Sequence, residues 1–124
     1  QLVMNPNQFD VIVAPNLYGD IISDLCSGLT GGLGLASSSN IGDDIRIYEA
    51  VHGSAPDIAG LDISNPTAVI LSSAMMLSDM GYRKESEKIV KAVIRTVSDP
   101  KFHTRDLGGT ADGLKFTDAV ISNL

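Results

Sequence analysis

Two aspartates in the segment NLYGDIISDL have the spacing of a shared ligand site. Asp20 and Asp24 are one helical turn apart in the sequence, so on a helix their carboxylates project from one face, with Cβ atoms about 5–6 Å apart. Two solvated acids on an exposed face are the simplest interpretation. The alternative is half of a site for a hard divalent cation, Mg²⁺ or Mn²⁺, which takes oxygen ligands and keeps positions for water and substrate.

The stretch EAVHGSAPDIAG, residues 49–60, combines polar side chains with residues that leave the main chain accessible. Glu49, His52 and Asp57 can hydrogen-bond a ligand, whereas the glycines and alanines between them let another molecule approach the backbone. A surface turn is the commoner outcome for a short stretch rich in Gly and Pro. A ligand-binding loop is the alternative.

Common motifs for nucleotide binding, metal binding and nucleophilic catalysis are absent. The segment GGLGLA, residues 31–36, approximates a dinucleotide fingerprint, but Ser37 occupies the third glycine position and the glycines follow a predicted helix, not a strand. No C-x-x-C, H-E-x-x-H or G-x-S-x-G sequence occurs, and the lone Cys26 is best explained as a small core residue. A Rossmann-type site is therefore not expected.

Composition argues against two classes of partner. The net charge of −6 and the pI of about 4.6 leave no Lys/Arg stripe to neutralise phosphates, so we expect no nucleic acid. No apolar run approaches the ~18 residues of a membrane span, so we expect no membrane-spanning segment.

Two further features concern the compartment and the extent of the chain. The single cysteine permits no internal disulfide, which favours a reducing compartment. The opening QLVMNPNQFD begins like the tail of an element already under way, so we expect a fragment of a longer chain.

Hydrophobic periodicity and the positions of Gly and Pro predict six elements that would position these residues. They are a buried strand at 9–14, a second strand at 45–51, and helices at 16–32, 65–81, 84–99 and 114–124, with loops between them, including 32–44 and 104–113. The inward-facing residues should be Ile22, Leu25, Cys26 and Leu29 in the first helix, and Ile89, Val90, Val93, Ile94 and Val97 in the third.

The second predicted helix is apolar on nearly every side. Asn65 stands at its cap, Pro66 at its first helical position and Gly81 at its end. Such a helix is expected to be buried on several sides, in a core or at a subunit contact.

Three segments together closely resemble the C-terminal part of the β-decarboxylating dehydrogenases, the family of isocitrate, isopropylmalate and homoisocitrate dehydrogenases. They are NLYGDIISDLCSGLTGGLGLASSSNIG, YEAVHGSAPDIAG and NPTAVILSSAMML, and they occur in the family's order and spacing. The resemblance implies an α/β fold in which residues 1–124 are the C-terminal portion of a single catalytic domain, with a dinucleotide site that is not a Rossmann crevice. NLYGD and EAVHG are most similar to catalytic subunits of NAD-dependent isocitrate dehydrogenases.

The resemblance also implies a role for each candidate residue. Asp20 and Asp24 would be ligands of Mg²⁺ or Mn²⁺, and the carboxylate of Asp57 would accept from the adenosine ribose and repel a 2′-phosphate, so NAD should be preferred over NADP. The segment TRDLGG, residues 104–109, would lie near the adenosine. The residues implied to bind the coenzyme are Glu49, His52, Gly53, Ser54, Ala55, Asp57, Ile58 and Asn65.

The implied function is oxidative decarboxylation of a small hydroxy acid, isocitrate, to 2-oxoglutarate with NAD and a divalent metal. The alternatives are isopropylmalate or homoisocitrate dehydrogenase, and a non-catalytic regulatory subunit. Another subunit of the same family is the expected partner, and the expected location is the mitochondrial matrix in a eukaryote and the cytoplasm otherwise. No Lys or Tyr lies in a motif that would make it a proton-transfer group, so no catalytic residue is assigned, and residues 1–124 alone are expected to be inactive.

Overall fold

The computed structural model describes residues 1–124 and consists of four α-helices and one two-stranded sheet. No helix is both long and apolar enough to cross a membrane. The elements are α1 (Asn16–Leu29), β1 (Ser37–Ile41), β2 (Arg46–Ala50), α2 (Thr67–Asp79), α3 (Arg83–Val97) and α4 (Gly113–Ser122), with single 3₁₀ turns at Pro6–Gln8, Leu33–Leu35, Pro56–Ile58, Pro100–Phe102 and Arg105–Leu107.

The sheet is an antiparallel hairpin in which Ser37 pairs with Ala50 and Ile41 with Arg46. The predicted strand at 45–51 is confirmed, but the prediction of a loop over 32–44 is wrong where β1 forms. The sequence SSSNI has neither the alternation nor the branched residues of a typical strand. Its extended conformation depends on backbone pairing with β2, which single-segment patterns do not reveal.

The predicted buried strand at 9–14 is wrong. Residues 9–14 form no strand, and the side chains of Val11 and Val13 are 82% and 94% exposed. A strand needs a neighbour for its backbone N–H and C=O groups, and the hairpin is the only sheet in this chain. Phe9 and Ile12 instead share an apolar groove with Ile22 of α1.

The core lies where α2, α3 and α4 meet. Ala92 and Val93 of α3 pack with Phe116 and Val120 of α4, and partly buried apolar residues of α2 and α3 surround them: Ile70, Leu71, Ile89 and Val97. The predicted inward face of α3 is therefore confirmed except at Ile94, which is 58% exposed. At about 100° per residue, Ile94 lies outside the arc shared by the buried positions.

The apolar helix α2 is covered on one side only. Its buried residues, Thr67, Ala68, Ser72 and Ala74, face the hairpin and α3, whereas Val69 and Met76 are exposed. Burial on several sides within a core is therefore not seen in these 124 residues, and burial at a subunit contact stays a prediction. The same limited coverage leaves Leu25 and Leu29 of α1 exposed, although Ile22 and Cys26 on that face are partly buried.

A buried serine joins α2 to both strands of the hairpin. The hydroxyl of Ser72 donates to the backbone carbonyl of Glu49 at 2.7 Å and accepts from the backbone N–H of Ser38 at 3.3 Å. The end of β2, from which the next loop starts, is therefore held against α2 by hydrogen bonds.

Candidate functional site

A cavity of about 390 Å³ lies between the loop that follows β2 and the turn at 104–109. This volume falls in the range of small-molecule sites, about 300–1,000 Å³, and the lining combines a few apolar side chains with polar groups, as such sites do. The lining residues are Leu33, Gly34, His52, Gly53, Ala55, Ile58, Ile63, Ser64, Asn65, Arg105 and Asp106.

The first wall is the loop after β2, which turns sharply at Ala55. Ala55 has a φ of 42°, in the left-handed region that few non-glycine residues adopt. The 3₁₀ turn Pro56–Ile58 follows directly and brings Ile58 to the cavity. Strained backbone of this kind is concentrated at ligand sites, where the surrounding structure holds it in place.

The second wall is centred on Asn65, whose side chain is fixed at both ends. Asn65 is only 6% exposed. Its Oδ1 accepts from the backbone N–H of Thr67 at 3.0 Å, as expected for a residue at the start of α2, and its Nδ2 donates to Oδ2 of Asp106 at 2.9 Å. No hydrogen bond engages the backbone N–H or C=O of Asn65. The main-chain donor and acceptor of Asn65 therefore have no partner within this chain.

The third wall, residues 103–111, is a tight turn that closes on Gly109. The N–H of Gly109 donates to the carbonyl of Thr104 at 2.9 Å, and the N–H of Ala111 donates to the carbonyl of His103 at 2.9 Å. A Cβ atom on Gly109 would lie 2.0 Å from the carbonyl oxygen of His103, a distance that only backbone movement can relieve. This close approach places Arg105 and Asp106 at the cavity.

Gly109→Ala should therefore lower the free energy of unfolding by about 1–3 kcal/mol, as overpacking against backbone does. The measurement is urea unfolding of the longest natural polypeptide that carries these residues. Gly28→Ala is the matched control, because a Cβ at Gly28 meets nothing within 4 Å and alanine favours the interior of α1. Equal stability of the Gly109 variant and the unaltered protein would contradict the tight-turn explanation.

The structure brings five of the predicted coenzyme residues to one cavity and leaves three outside it. His52, Gly53, Ala55, Ile58 and Asn65 line the cavity. Ser54 lines an adjoining cavity of about 340 Å³.

The other two predicted coenzyme residues lie apart from both cavities. The Glu49 side chain lies on β2 and accepts from Nδ2 of Asn40 at 2.7 Å. Asp57 is exposed on the 3₁₀ turn beside Ile58, and no hydrogen bond or ion pair engages its carboxylate.

Sequence reasoning missed several lining residues. Arg105 and Asp106 were implicated only by the resemblance of their segment, and Leu33, Gly34, Ile63 and Ser64 were not singled out. Gly34 carried a detectable signal, because a glycine within an apolar segment often marks a close approach of the backbone. A Cβ there would lie 2.9 Å from Oδ2 of Asp106.

Asp20 and Asp24 lie on the exposed side of α1, outside the cavity lining. Neither carboxylate takes part in an ion pair or a hydrogen bond. The hydroxyl of Ser23 donates to the backbone carbonyl of Asp20 and not to its carboxylate. No group of three or more His, Cys, Asp and Glu side chains in the chain is arranged to hold a metal ion. Two free carboxylates on one helical face fit part of an oxygen-ligand set for a hard cation.

Tyr48 is engaged in a cluster away from the cavity. Its hydroxyl donates to Oδ2 of Asp79, to which Arg46 also forms an ion pair at 3.2 Å. The hydrogen bond to Asp79 raises the pKa of Tyr48 above its usual value. This hydrogen bond ties the hairpin to the end of α2.

The chain belongs to the isocitrate/isopropylmalate dehydrogenase family, whose profile matches residues 1–122. The crystal structure of isocitrate dehydrogenase from Methylococcus capsulatus superposes with a TM-score of 0.94 at 46% identity, covering 99% of this chain and 37% of that one. The α/β fold expected from the resemblance is thereby confirmed.

Both catalytic and regulatory subunits are found among the relatives that match this chain. It is 56% identical to catalytic subunit 6 of the mitochondrial NAD isocitrate dehydrogenase of Arabidopsis thaliana, over 99% of this chain and 33% of that protein. It is 54% identical to a mitochondrial regulatory subunit of the NAD isocitrate dehydrogenase of Dictyostelium discoideum, over 100% of this chain and 35% of that protein. The chain thus spans about a third of the length of these curated relatives.

Proposed function

We propose that this chain is the C-terminal part of the catalytic domain of an NAD-dependent isocitrate dehydrogenase, which converts isocitrate to 2-oxoglutarate with Mg²⁺ or Mn²⁺. The observation that carries the proposal is the cavity, because it unites His52, Gly53, Ala55, Ile58 and Asn65 from the loop assigned to the coenzyme. The name of the Arabidopsis catalytic subunit supports the same activity.

The cavity fits the adenosine half of NAD. An adenine ring would pack against Leu33, Ile58 and Ile63, while its edge would meet the free N–H and C=O of Asn65. Adenine presents an acceptor, N1, beside a donor, the 6-amino group, and so complements that pair. Asp57, beside Ile58, would accept from the ribose hydroxyls through a charge-assisted bond of about 1.5–3 kcal/mol.

Asp20 and Asp24 are the proposed metal ligands of this chain. Their exposure and lack of partners leave both carboxylates available, and further ligands would come from substrate, water and residues outside this segment. When bound, the metal supplies Lewis-acid polarisation of the substrate oxygens and NAD supplies the hydride acceptor. The two aspartates would thereby also orient the hydroxy acid.

Proton transfer is assigned to no residue of this chain. The tyrosine beside the coenzyme loop, Tyr48, is held by Asp79, and Lys84, Lys88 and Lys91 are exposed on α3. General acid–base catalysis needs a group within hydrogen-bond reach of the substrate hydroxyl. We therefore propose that this group comes from outside residues 1–124, with another subunit of the same family as partner, in the mitochondrial matrix if the organism is eukaryotic and in the cytoplasm otherwise.

A regulatory subunit is the second candidate, favoured by the 54% identity to the Dictyostelium regulatory subunit. The pair Asp20 and Asp24 supports a catalytic role, because two unpartnered carboxylates one turn apart could supply oxygen ligands to the divalent metal that turnover requires. Isopropylmalate and homoisocitrate dehydrogenase remain the alternatives within the enzyme class, since this segment contains no assigned contact to the part of the substrate that distinguishes these acids.

The decisive experiment is an assay of the longest natural polypeptide that carries these residues. It is assayed alone and together with each subunit of the same family from the same organism. We expect NADH formation with isocitrate and Mn²⁺, and none with residues 1–124 alone. Turnover with isopropylmalate or homoisocitrate but not isocitrate would reassign the substrate. Binding of NAD or Mn²⁺ without turnover in every subunit combination would favour the regulatory subunit.

A further inference from the structure

The loop that follows β2 is hydrogen-bonded to other elements at its two ends but not between them. At its start, the N–H of Val51 donates to the carbonyl of Ala36 at 3.4 Å. From residue 52 to residue 61 every hydrogen bond is local, within the short turns of the loop itself. The next hydrogen bond to another element is made by Asp62, so this residue fixes where the loop rejoins the fold.

Asp62 joins the loop to the N-terminus of α4 by two hydrogen bonds. Its backbone carbonyl accepts from the N–H of Gly113 at 2.9 Å, and its Oδ2 accepts from the N–H of Leu114 at 3.2 Å. Such first-turn N–H groups have no partner inside their helix, and they form the positive end of the helix dipole, where a carboxylate is favourable. Because Phe116 and Val120 hold α4 in the core, the helix is a firm anchor for the loop.

The backbone around this anchor is tightly packed. Asp62 has a φ of 52°, in the left-handed region that aspartate and asparagine adopt more readily than most side chains. A Cβ atom on Gly113 would lie 2.8 Å from Oδ1 of Asp62 and 3.1 Å from the carbonyl oxygen of Ser64. Ser64 lines both the 390 Å³ cavity and the adjoining cavity that Ser54 lines. The anchor therefore sets the position of the wall to which Ser64 belongs.

We infer that Asp62 is a positioning residue, which anchors the loop after β2 to α4 and so holds that loop in the conformation that binds NAD. The inference rests on the proposed function, in which the cavity holds part of the coenzyme. A loop that is already held in its binding conformation loses less conformational freedom when the ligand binds. Loss of the anchor should weaken NAD binding and leave the metal site unchanged, because Asp20 and Asp24 lie outside the cavity.

The test substitutes Asp62 with glycine in the longest natural polypeptide and the subunit combination that gives turnover. Glycine suits the φ of residue 62, so the variant removes the carboxylate without adding backbone strain. We expect Asp62→Gly to raise the KM for NAD and the calorimetric Kd for NAD about tenfold. The kcat and the KM for isocitrate should stay unchanged. A merely structural role would instead reduce the folded fraction, which lowers the apparent kcat and leaves the KM for NAD unchanged.

Asp112 provides the matched control, because it caps the same helix without belonging to the loop. Its Oδ1 accepts from the N–H of Lys115 at 2.7 Å, and it lines neither of the two cavities. Asp112→Gly should therefore leave the KM for NAD unchanged. Equal increases in the KM for NAD in Asp62→Gly and Asp112→Gly would mean that Asp62 acts only as a helix cap, and would overturn the inference.

Two further variants keep the inference testable if Asp62→Gly folds poorly. Asp62→Asn keeps a side-chain acceptor and tolerates a left-handed φ, so it should retain the KM of the unaltered enzyme. Gly113→Ala should raise the KM for NAD, because the added Cβ displaces Asp62 and Ser64. Alanine favours a helix more than glycine does, so a role of Gly113 in helix formation alone would predict no loss of NAD affinity.

The outcomes also separate this inference from the function on which it rests. Calorimetric titration that detects no NAD binding in the unaltered protein would overturn both. NAD binding and turnover with an unchanged KM for NAD in folded Asp62→Gly and Gly113→Ala variants would overturn the inference alone.

Discussion

Replacing Asp24 with asparagine in the active enzyme should weaken Mn²⁺ binding and lower turnover at limiting metal by about 100-fold or more, while the fold stays intact. The substitution removes a full negative charge where the metal is the largest local charge, and the amide is a weaker ligand for a hard cation. Asp24 is exposed and unpartnered, so no folded-state contact is lost with its charge.

The measurement is Mn²⁺ titration of activity and of binding for Asp24→Asn beside Asp118→Asn. Asp118 is also an exposed acid on a helix, and its side chain has no partner, so its variant should match the unaltered enzyme. Unchanged metal affinity together with unchanged kcat at saturating Mn²⁺ in Asp24→Asn would eliminate Asp24 as a ligand.

The second large effect concerns the choice of coenzyme. Exchanging Asp57 for lysine and Ile58 for tyrosine should raise the ratio of kcat/KM for NADP to that for NAD by about 100-fold or more. The lysine would attract the roughly −2 charge of a 2′-phosphate, and the lost carboxylate would cease to repel it. Asp57 is exposed and unpartnered on the short turn that brings Ile58 to the cavity.

Asp57→Asn separates the loss of repulsion from the gain of attraction, because it removes the carboxylate without adding a positive charge. Its ratio of kcat/KM for NADP to that for NAD should lie between those of the unaltered and doubly substituted enzymes. If neither variant changes the ratio, the turn Pro56–Ile58 does not contact the ribose.

The fold was predictable from sequence where a segment carries its own periodicity. The amphipathic pattern of α3 predicts its bounds to within two residues and its buried face except at Ile94, and the glycine and proline positions predict α2 to within two residues. Segments whose conformation depends on pairing with another segment were not predictable. The polar β1 is a strand because β2 pairs with it, and the β-branched residues at 9–14 form none because nothing pairs with them.

The candidate site divides in the same way. The types and spacing of residues 49–60 raised a ligand loop as the alternative to a surface turn, because a local sequence decides whether backbone is accessible and which polar groups accompany it. The bonds from Asp106 to Asn65 and Thr104 could not be predicted, since the first joins segments 41 residues apart and depends on how the turn at 103–111 docks. Resemblance placed that segment near the adenosine but did not reveal its contact with Asn65.

Asn65 lies just before α2, where its side chain accepts from the first helical N–H, and it also forms a wall of the cavity. This double role has a kinetic consequence. Fraying of the first turn of α2 would break the bond between Thr67 and Asn65, and the wall would open with it. Helix ends open by local unfolding, with free energies well below that of the whole protein. A nucleotide bound there would suppress this opening, so hydrogen exchange at the start of α2 and escape of the nucleotide would share one rate-limiting event.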